Sequence, residues 1–278
     1  MKKLIYLFSA TFLVLASCTD DYAVINQKDG TVVPETPVVP DTPVVPDVPV
    51  IVESNFVKKI IHTYKDGTTS TIDLVYDGNK IVSETDQGGY KTNYIYTGDL
   101  ITRIEKQDAN GQVYLFKEYN YEAGKLKYIL RNEFGNYYKT ELLYNSNNSI
   151  WFSEFTSDSN GTELESTGRT GTYTLKEGNL IKNEQYLGSS QDVSTFEYDS
   201  KKSPKSNVLG FNLLVDNDFD QSVNNPITCI NIGGLSNNLQ TMTWTYNYEY
   251  NENGYATVRI EKIKKGDSIF VETTQYFY

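Results

Sequence analysis

The residues equipped for chemistry are few and scattered. Asp216, Asp218 and Asp220 repeat the 1, 3, 5 carboxylate spacing of a calcium loop. Gln221 stands where that loop needs glycine at position 6, and Ile227 where it needs glutamate at position 12. The alternative reading of the triplet is a polar loop. The chain holds one histidine, His62, and two cysteines, Cys18 and Cys229. One histidine excludes a His-based metal cluster and a two-histidine relay. Two cysteines exclude a Cys-type zinc site and a disulfide framework. No G-x-S-x-G elbow is present to meet His62. No phosphate-binding or dinucleotide-binding glycine loop occurs. A glycosidase pair cannot be picked from 36 acidic residues without geometry. Trp151 and Trp244 are the candidate ligand-binding residues, because aromatic faces stack on the apolar faces of sugars. The 23 tyrosines and 12 phenylalanines are expected mainly as strand formers filling a wide core. The expectation is a non-enzyme without a cofactor.

Charge narrows the partners. With 25 Lys+Arg against 36 Asp+Glu the net charge is −11. Nucleic-acid affinity rests on clustered basic residues, so no nucleic-acid partner is expected. Cys229 lies in the apolar run Ile227-Thr-Cys-Ile-Asn-Ile232 and reads as a buried, inert thiol.

The N-terminus carries an address. Lys2-Lys3 precede the apolar run Leu4 to Leu15, which is too short for a comfortable membrane-spanning helix. Small residues then lead to a cysteine in Leu15-Ala-Ser-Cys18. This stretch resembles a bacterial lipoprotein signal. The resemblance implies removal of residues 1–17, diacylglyceryl on the Cys18 thiol and acylation of the new amine. Several acyl chains give stable membrane anchoring. Asp20 and Asp21 follow Thr19. Acidic residues in that place resemble the surface-export signal of Bacteroidetes lipoproteins, which implies a domain outside the outer membrane.

Residues 18–53 read as the lipidated cysteine and a stalk. Six of the eight prolines lie between Pro34 and Pro49, one every third residue. That period fits a polyproline II rod with three residues per turn. At about 3.1 Å per residue the eighteen residues 32–49 span on the order of 55 Å. No Arg or Lys flanks the prolines, so a spacer is favoured over an SH3-type ligand.

From Phe56 the texture becomes short alternating runs separated by Gly/Asn/Asp turns, with no sustained helical period. A unit recurs in which a strand ends in an aromatic residue and turns through Gly or Asn. Examples are Tyr76-Asp-Gly78, Tyr96-Thr-Gly98, Tyr121-Glu-Ala-Gly124 and Tyr250-Asn-Glu-Asn-Gly254. Final tyrosines fall at 76, 96, 121, 144, 173, 198 and 250. Steps of 20–29 residues hold one hairpin each, and the last step of 52 implies an insertion, set at 199–240. The expectation is an all-β, antiparallel up-and-down meander of about 14–16 strands over residues 54–278. Trp244, Tyr246, Tyr248 and Tyr250 share one face of their strand. An apolar-aromatic face and a wet face follow.

Such a sheet removes its edges by closing into a barrel. So many strands enclose a void, so a flattened barrel, or one plugged by Phe211, Leu213 and Leu214, is expected. The outer face carries Lys, Arg and Glu, and strands of about seven residues fall short of the 9–11 that span a bilayer. A soluble barrel is therefore expected.

The lipobox, Asp20-Asp21, the proline stalk and the Tyr-x-Tyr turn units together resemble Bacteroidetes surface lipoproteins of unknown function with a porin-like β-barrel fold. Lys202-Ser-Pro-Lys-Ser-Asn-Val-Leu-Gly-Phe-Asn212 resembles an inserted motif among them. The resemblance covers residues 56–278 and implies a fold and a location, and no activity. The tyrosine units also resemble YD/RHS repeats, whose xxGRL-type core is missing here. The expected function is glycan or protein binding, or adhesion, by a lipoprotein anchored at the outer membrane through Cys18. The alternatives are an assembly component of the envelope and a polysaccharide or peptide hydrolase.

Overall fold

The computed structural model describes residues 55–278, except Asn217 and the side chain of Asp218. Residues 1–54 lie outside it, including Cys18, Asp20 and Asp21. The described chain is a meander of sixteen antiparallel strands. These are β1 (Lys59–Thr63), β2 (Thr69–Asp77), β3 (Lys80–Asp86), β4 (Lys91–Thr97), β5 (Leu100–Gln107), β6 (Val113–Glu122), β7 (Lys125–Glu133) and β8 (Asn136–Tyr144). They continue as β9 (Ser149–Ser157), β10 (Glu163–Lys176), β11 (Asn179–Leu187), β12 (Ser190–Lys202), β13 (Asn224–Leu235), β14 (Asn238–Tyr250), β15 (Ala256–Lys265) and β16 (Ser268–Phe277). Strand β16 pairs with β1, so the barrel is closed and has no free edge.

The tyrosine units form a belt at one end. In several units the register shifts by one residue at the aromatic position, as at Tyr76, Tyr96 and Tyr121. Each shift is a bulge, which turns two nearby side chains to the same face. The second side chain is an aliphatic residue five positions on: Ile81, Ile101 and Leu126, all almost fully buried. Leu175 and Leu180 repeat the arrangement in β10–β11. Each such aliphatic contributes about 1.5–3 kcal/mol by leaving water. The tyrosine hydroxyls satisfy backbone groups of the preceding unit. Tyr121 donates to Ile101 O (3.0 Å), Tyr198 to Leu180 O (2.7 Å) and Tyr278 to Ala256 O (2.9 Å).

Segment 203–223 closes the same end of the barrel. Strand β12 runs to Lys202 and β13 begins at Asn224, so the expected insertion 199–240 shrinks to this segment. The rest of that stretch alternates in and out as ordinary strand. The step of 52 is thus one two-strand unit enlarged by the plug. Short 3-10 turns at Phe211–Leu213 and Asp218–Gln221 shape it. Val208, Phe211, Leu214 and Val215 enter the core. Leu213, expected inside with them, is only half-buried. Gly210 has φ +71, and a Cβ there would lie 2.8 Å from Asp99 O, so the plug backbone packs directly on the β4–β5 turn. Leu209 N donates to Asn79 O (2.9 Å), and Tyr96 Oη to Leu209 O (3.2 Å). Burial pushes the Tyr96 hydroxyl up to about 12, so it stays a donor. The chain enters at this closed end, where Asn253 and Asn207 hydrogen-bond Asn55 at 2.9 Å. At the other end the described residues form eight hairpin turns.

The outer wall is mixed: charged pairs lie among exposed apolar side chains such as Ile95, Ile230, Ile260 and Val271. Arg103, fourth of the eight residues of β5, pairs with Glu105 (2.7 Å) and Glu118. Lys139 of β8 pairs with Glu141 (3.0 Å) and Glu163 (2.8 Å), and Lys182 with Glu184 (2.8 Å). The strands are longer than the seven residues expected: β10 has 14, and β6, β15 and β16 have 10 each. Length therefore does not separate this barrel from a membrane-spanning one. Lysine or arginine at the bilayer midplane costs about 2–4 kcal/mol each, a cost the mid-strand charges would bring to a spanning barrel.

Candidate ligand-binding lumen

The inner face divides into two tiers. Near the plug it is apolar and aromatic, as the sequence pattern implies. Toward the open end it is charged and amide-rich, which corrects the expectation of one apolar inner face. Sixteen strands enclose more space than side chains fill, so the inward positions beyond the plug meet solvent and carry polar groups. A cavity of about 850 Å³ occupies this tier.

Its polar wall runs from strand to strand. Glu154 of β9 is buried and takes Arg131 of β7 and Arg169 of β10, each at 3.1 Å. Arg131 also pairs with Glu133 (2.7 Å), and Arg169 donates to Gln185 Oε1 (2.6 Å). Gln185 Nε2 donates to Asn183 Oδ1 (3.3 Å). Across the next hairpin Asn231 donates to Asp192 (2.6 Å) and Ser194 (3.0 Å). On β15 the Arg259 guanidinium meets Glu261 at 3.2 Å and Thr274 Oγ1 at 3.3 Å. Burial pushes the Glu261 carboxyl up; Arg259 opposes this and Glu272 adds to it. The guanidiniums lie over rings: Arg131 over Tyr138 at 4.6 Å, Arg259 over Tyr246 at 5.6 Å. Such contacts hold the guanidinium planes in place while their edges bond the neighbouring carboxylates and hydroxyl.

The aromatic wall is Phe152, Tyr173, Trp244 and Tyr246. Phe152 stacks on Tyr173 with centroids 4.9 Å apart. Gly171 of β10 makes room for that ring. A Cβ there would lie 2.5 Å from Phe152 and 2.0 Å from Glu184 O. Trp244 is half-buried, on the same inward face as Tyr246, Tyr248 and Tyr250. Trp151, the other tryptophan candidate, faces outward at 40% exposed beside Leu143 and contributes nothing to the lumen.

The remaining candidates separate. Asp216 is held by Lys117 at 2.6 Å, Asp220 is exposed and the side chain of Asp218 lies outside the described residues. Among the described residues no group of three His, Cys, Asp or Glu side chains could hold a metal ion. His62 joins Glu272 through Nε2 (3.0 Å) and Thr274 through Nδ1 (2.9 Å). Thr274 is 4% exposed and also accepts from Arg259, so these groups spend their bonds on one another. Cys229 is buried, as its apolar run implies. The polar wall was not picked out in the sequence. Its signal was present: Lys106, Arg131, Gln185 and Glu261 each fall five residues after the buried small or aliphatic residue of their unit, Ile101, Leu126, Leu180 and Ala256.

No family model matches the chain, and no curated protein matches it. Among solved structures it is similar to a porin-like protein from Bacteroides uniformis ATCC 8492. The two share 14% identity, the match covers 80% of this chain and 97% of that chain, and the TM-score is 0.49.

Proposed function

We propose that this chain is a non-enzymatic envelope lipoprotein, anchored at the outer membrane through Cys18 and exposed at the cell surface, whose lumen binds a glycan. The observation that carries the binding reading is the 850 Å³ cavity, where half-buried Trp244 lies among arginine, amide and carboxylate groups. A sugar presents a flat apolar face and a rim of hydroxyls, and this lumen offers partners for both. Pockets of this kind combine apolar walls with a few placed polar groups.

The test is a polysaccharide array probed with the unlipidated chain, Cys18→Ser, expressed from residue 18. Capture of a glycan is expected. Trp244→Ala is expected to weaken it about tenfold or more, as for a buried aromatic anchor. A flat array with envelope proteins co-purifying would replace this reading with the assembly one. Turnover of a bound polymer would replace it with the hydrolase one.

Anchoring rests on the resemblance of residues 1–21 and is tested in cells. Cys18→Ser is expected to move the protein from the membrane pellet to the soluble fraction. Asp20→Ala with Asp21→Ala is expected to remove its sensitivity to protease on whole cells. Unchanged sensitivity would reject Asp20 and Asp21 as the surface-export signal.

A further inference from the structure

The open rim carries an aromatic cluster that the lumen does not explain. Phe134, in the turn between β7 and β8, is 74% exposed, and Tyr90, in the turn between β3 and β4, is 51% exposed. Both meet Tyr114 of β6. Tyr114 and Phe134 are stacked, with centroids 5.7 Å apart and planes at 24°. Tyr90 and Tyr114 meet edge-on at 6.5 Å. Three hairpins thus contribute to one aromatic surface.

The backbone under Phe134 makes the surface harder to dismiss. Phe134 has φ +51 and Gly135 φ +88, so both central residues of this two-residue turn lie in the left-handed region. Such turns favour Asn, Asp or Gly at the first position. A bulky residue held there is strained, and such positions cluster at functional sites. Ala123 and Glu177 hold similar φ values in closed-end turns, but neither presents an exposed ring.

A cavity of about 200 Å³ adjoins the cluster. Tyr90 and Tyr114 form its aromatic side, and Asp86, Thr92 and Lys106 its polar side. Lys106 is exposed and also lines the 850 Å³ cavity, so the two spaces share a wall. Within the cavity's lining the carboxylate of Asp86 already accepts from Gly88 N (2.8 Å) and Tyr90 N (2.9 Å), which fixes the turn that presents Tyr90.

We infer that Tyr90, Tyr114 and Phe134 form an entry subsite for a saccharide chain. One sugar ring stacks on the rim aromatics, its hydroxyls reach the polar side of the small cavity, and the chain continues past Lys106 into the lumen. The inference rests on the glycan reading above and adds that the ligand is a chain long enough to occupy both places. A flat apolar face edged by hydroxyls matches an aromatic platform beside Thr92 and Lys106. A purely aliphatic partner would leave those polar groups unpaired.

The experiment measures affinity of the Cys18→Ser chain for a ladder of oligosaccharides, two to eight sugars long, cut from the polysaccharide captured on the array. Affinity is expected to rise with length until the rim is reached. Tyr90→Ser and Phe134→Asn are each expected to lower the affinity for long members about three- to tenfold and to leave short members unchanged. Trp244→Ala lowers both. Asn suits the left-handed position, so Phe134→Asn is expected to keep or raise the melting temperature, which separates lost binding from lost folding. Rim variants that bind every length like the parent, while Trp244→Ala fails, would overturn the entry subsite and leave the lumen reading standing. A flat array for the parent would overturn both. Capture of peptides with no glycan captured would overturn the saccharide assignment.

Discussion

Replacing Gly171 by alanine is expected to cost about 3 kcal/mol or more, the upper range for overpacking, because here the obstruction is backbone as well as side chain. The new Cβ would lie 2.0 Å from Glu184 O on the neighbouring strand and 2.5 Å from the Phe152 ring. A ring can tilt, but the carbonyl belongs to the ladder that joins β10 to β11. Relief therefore needs the strands to separate, and Phe152 to shift in its stack on Tyr173. Denaturant unfolding of the unlipidated chain measures the effect. A cost under about 1 kcal/mol would mean that the close approach is not maintained in solution. Because Phe152 also forms the aromatic wall of the cavity, the variant is expected to lose ligand affinity even where it folds.

Replacing Lys205 by methionine is the second large effect. Lys205 sits in the plug, and its ammonium lies 2.6 Å from Glu84 and 5.1 Å from the centre of the Phe211 ring. Burial by itself depresses this ammonium. The Glu84 carboxylate, Tyr94 and Asp220 together outweigh it, and the pKa stands above the usual lysine value. Methionine keeps most of the volume but leaves the largely buried Glu84 carboxylate without its cation. Breaking one side of such a pair costs about 3–5 kcal/mol. The plug is expected to loosen first, which limited proteolysis within 203–223 would register. Adding Glu84→Gln to the same chain is expected to restore much of the stability. If the double variant is no better than the single, the pair is not what holds the plug.

The barrel was legible because its repeat is local. A strand ending in tyrosine, then Gly or Asn, then an aliphatic residue is written once for nearly every hairpin. The bulge at Tyr76, Tyr96 and Tyr121 and the glycines with positive φ follow from that unit. The bounds of the plug were less legible, because β13 reads as an apolar run of the kind a plug would also contain. Ile227, Ile230 and Ile232 in fact face outward, and Cys229 and Asn231 inward. Trp151 and Trp244 looked equivalent in sequence. They differ by which side of the wall their strand register presents.

The sequence by itself determined the strand type, the antiparallel meander, its closure and the presence of a plug, because period-two alternation and turn chemistry are properties of neighbouring residues. It also carries the resemblance at Cys18, Asp20 and Asp21. The tertiary structure decided which residues the inner wall brings together. Arg131, Glu154 and Arg169 are separated by 38 residues of chain and meet only because three inward positions fall at one height of the barrel. Tyr90, Tyr114 and Phe134 become one surface only because three hairpins end at the same rim. Register and closure set those heights, and neither is a property of any single stretch of sequence.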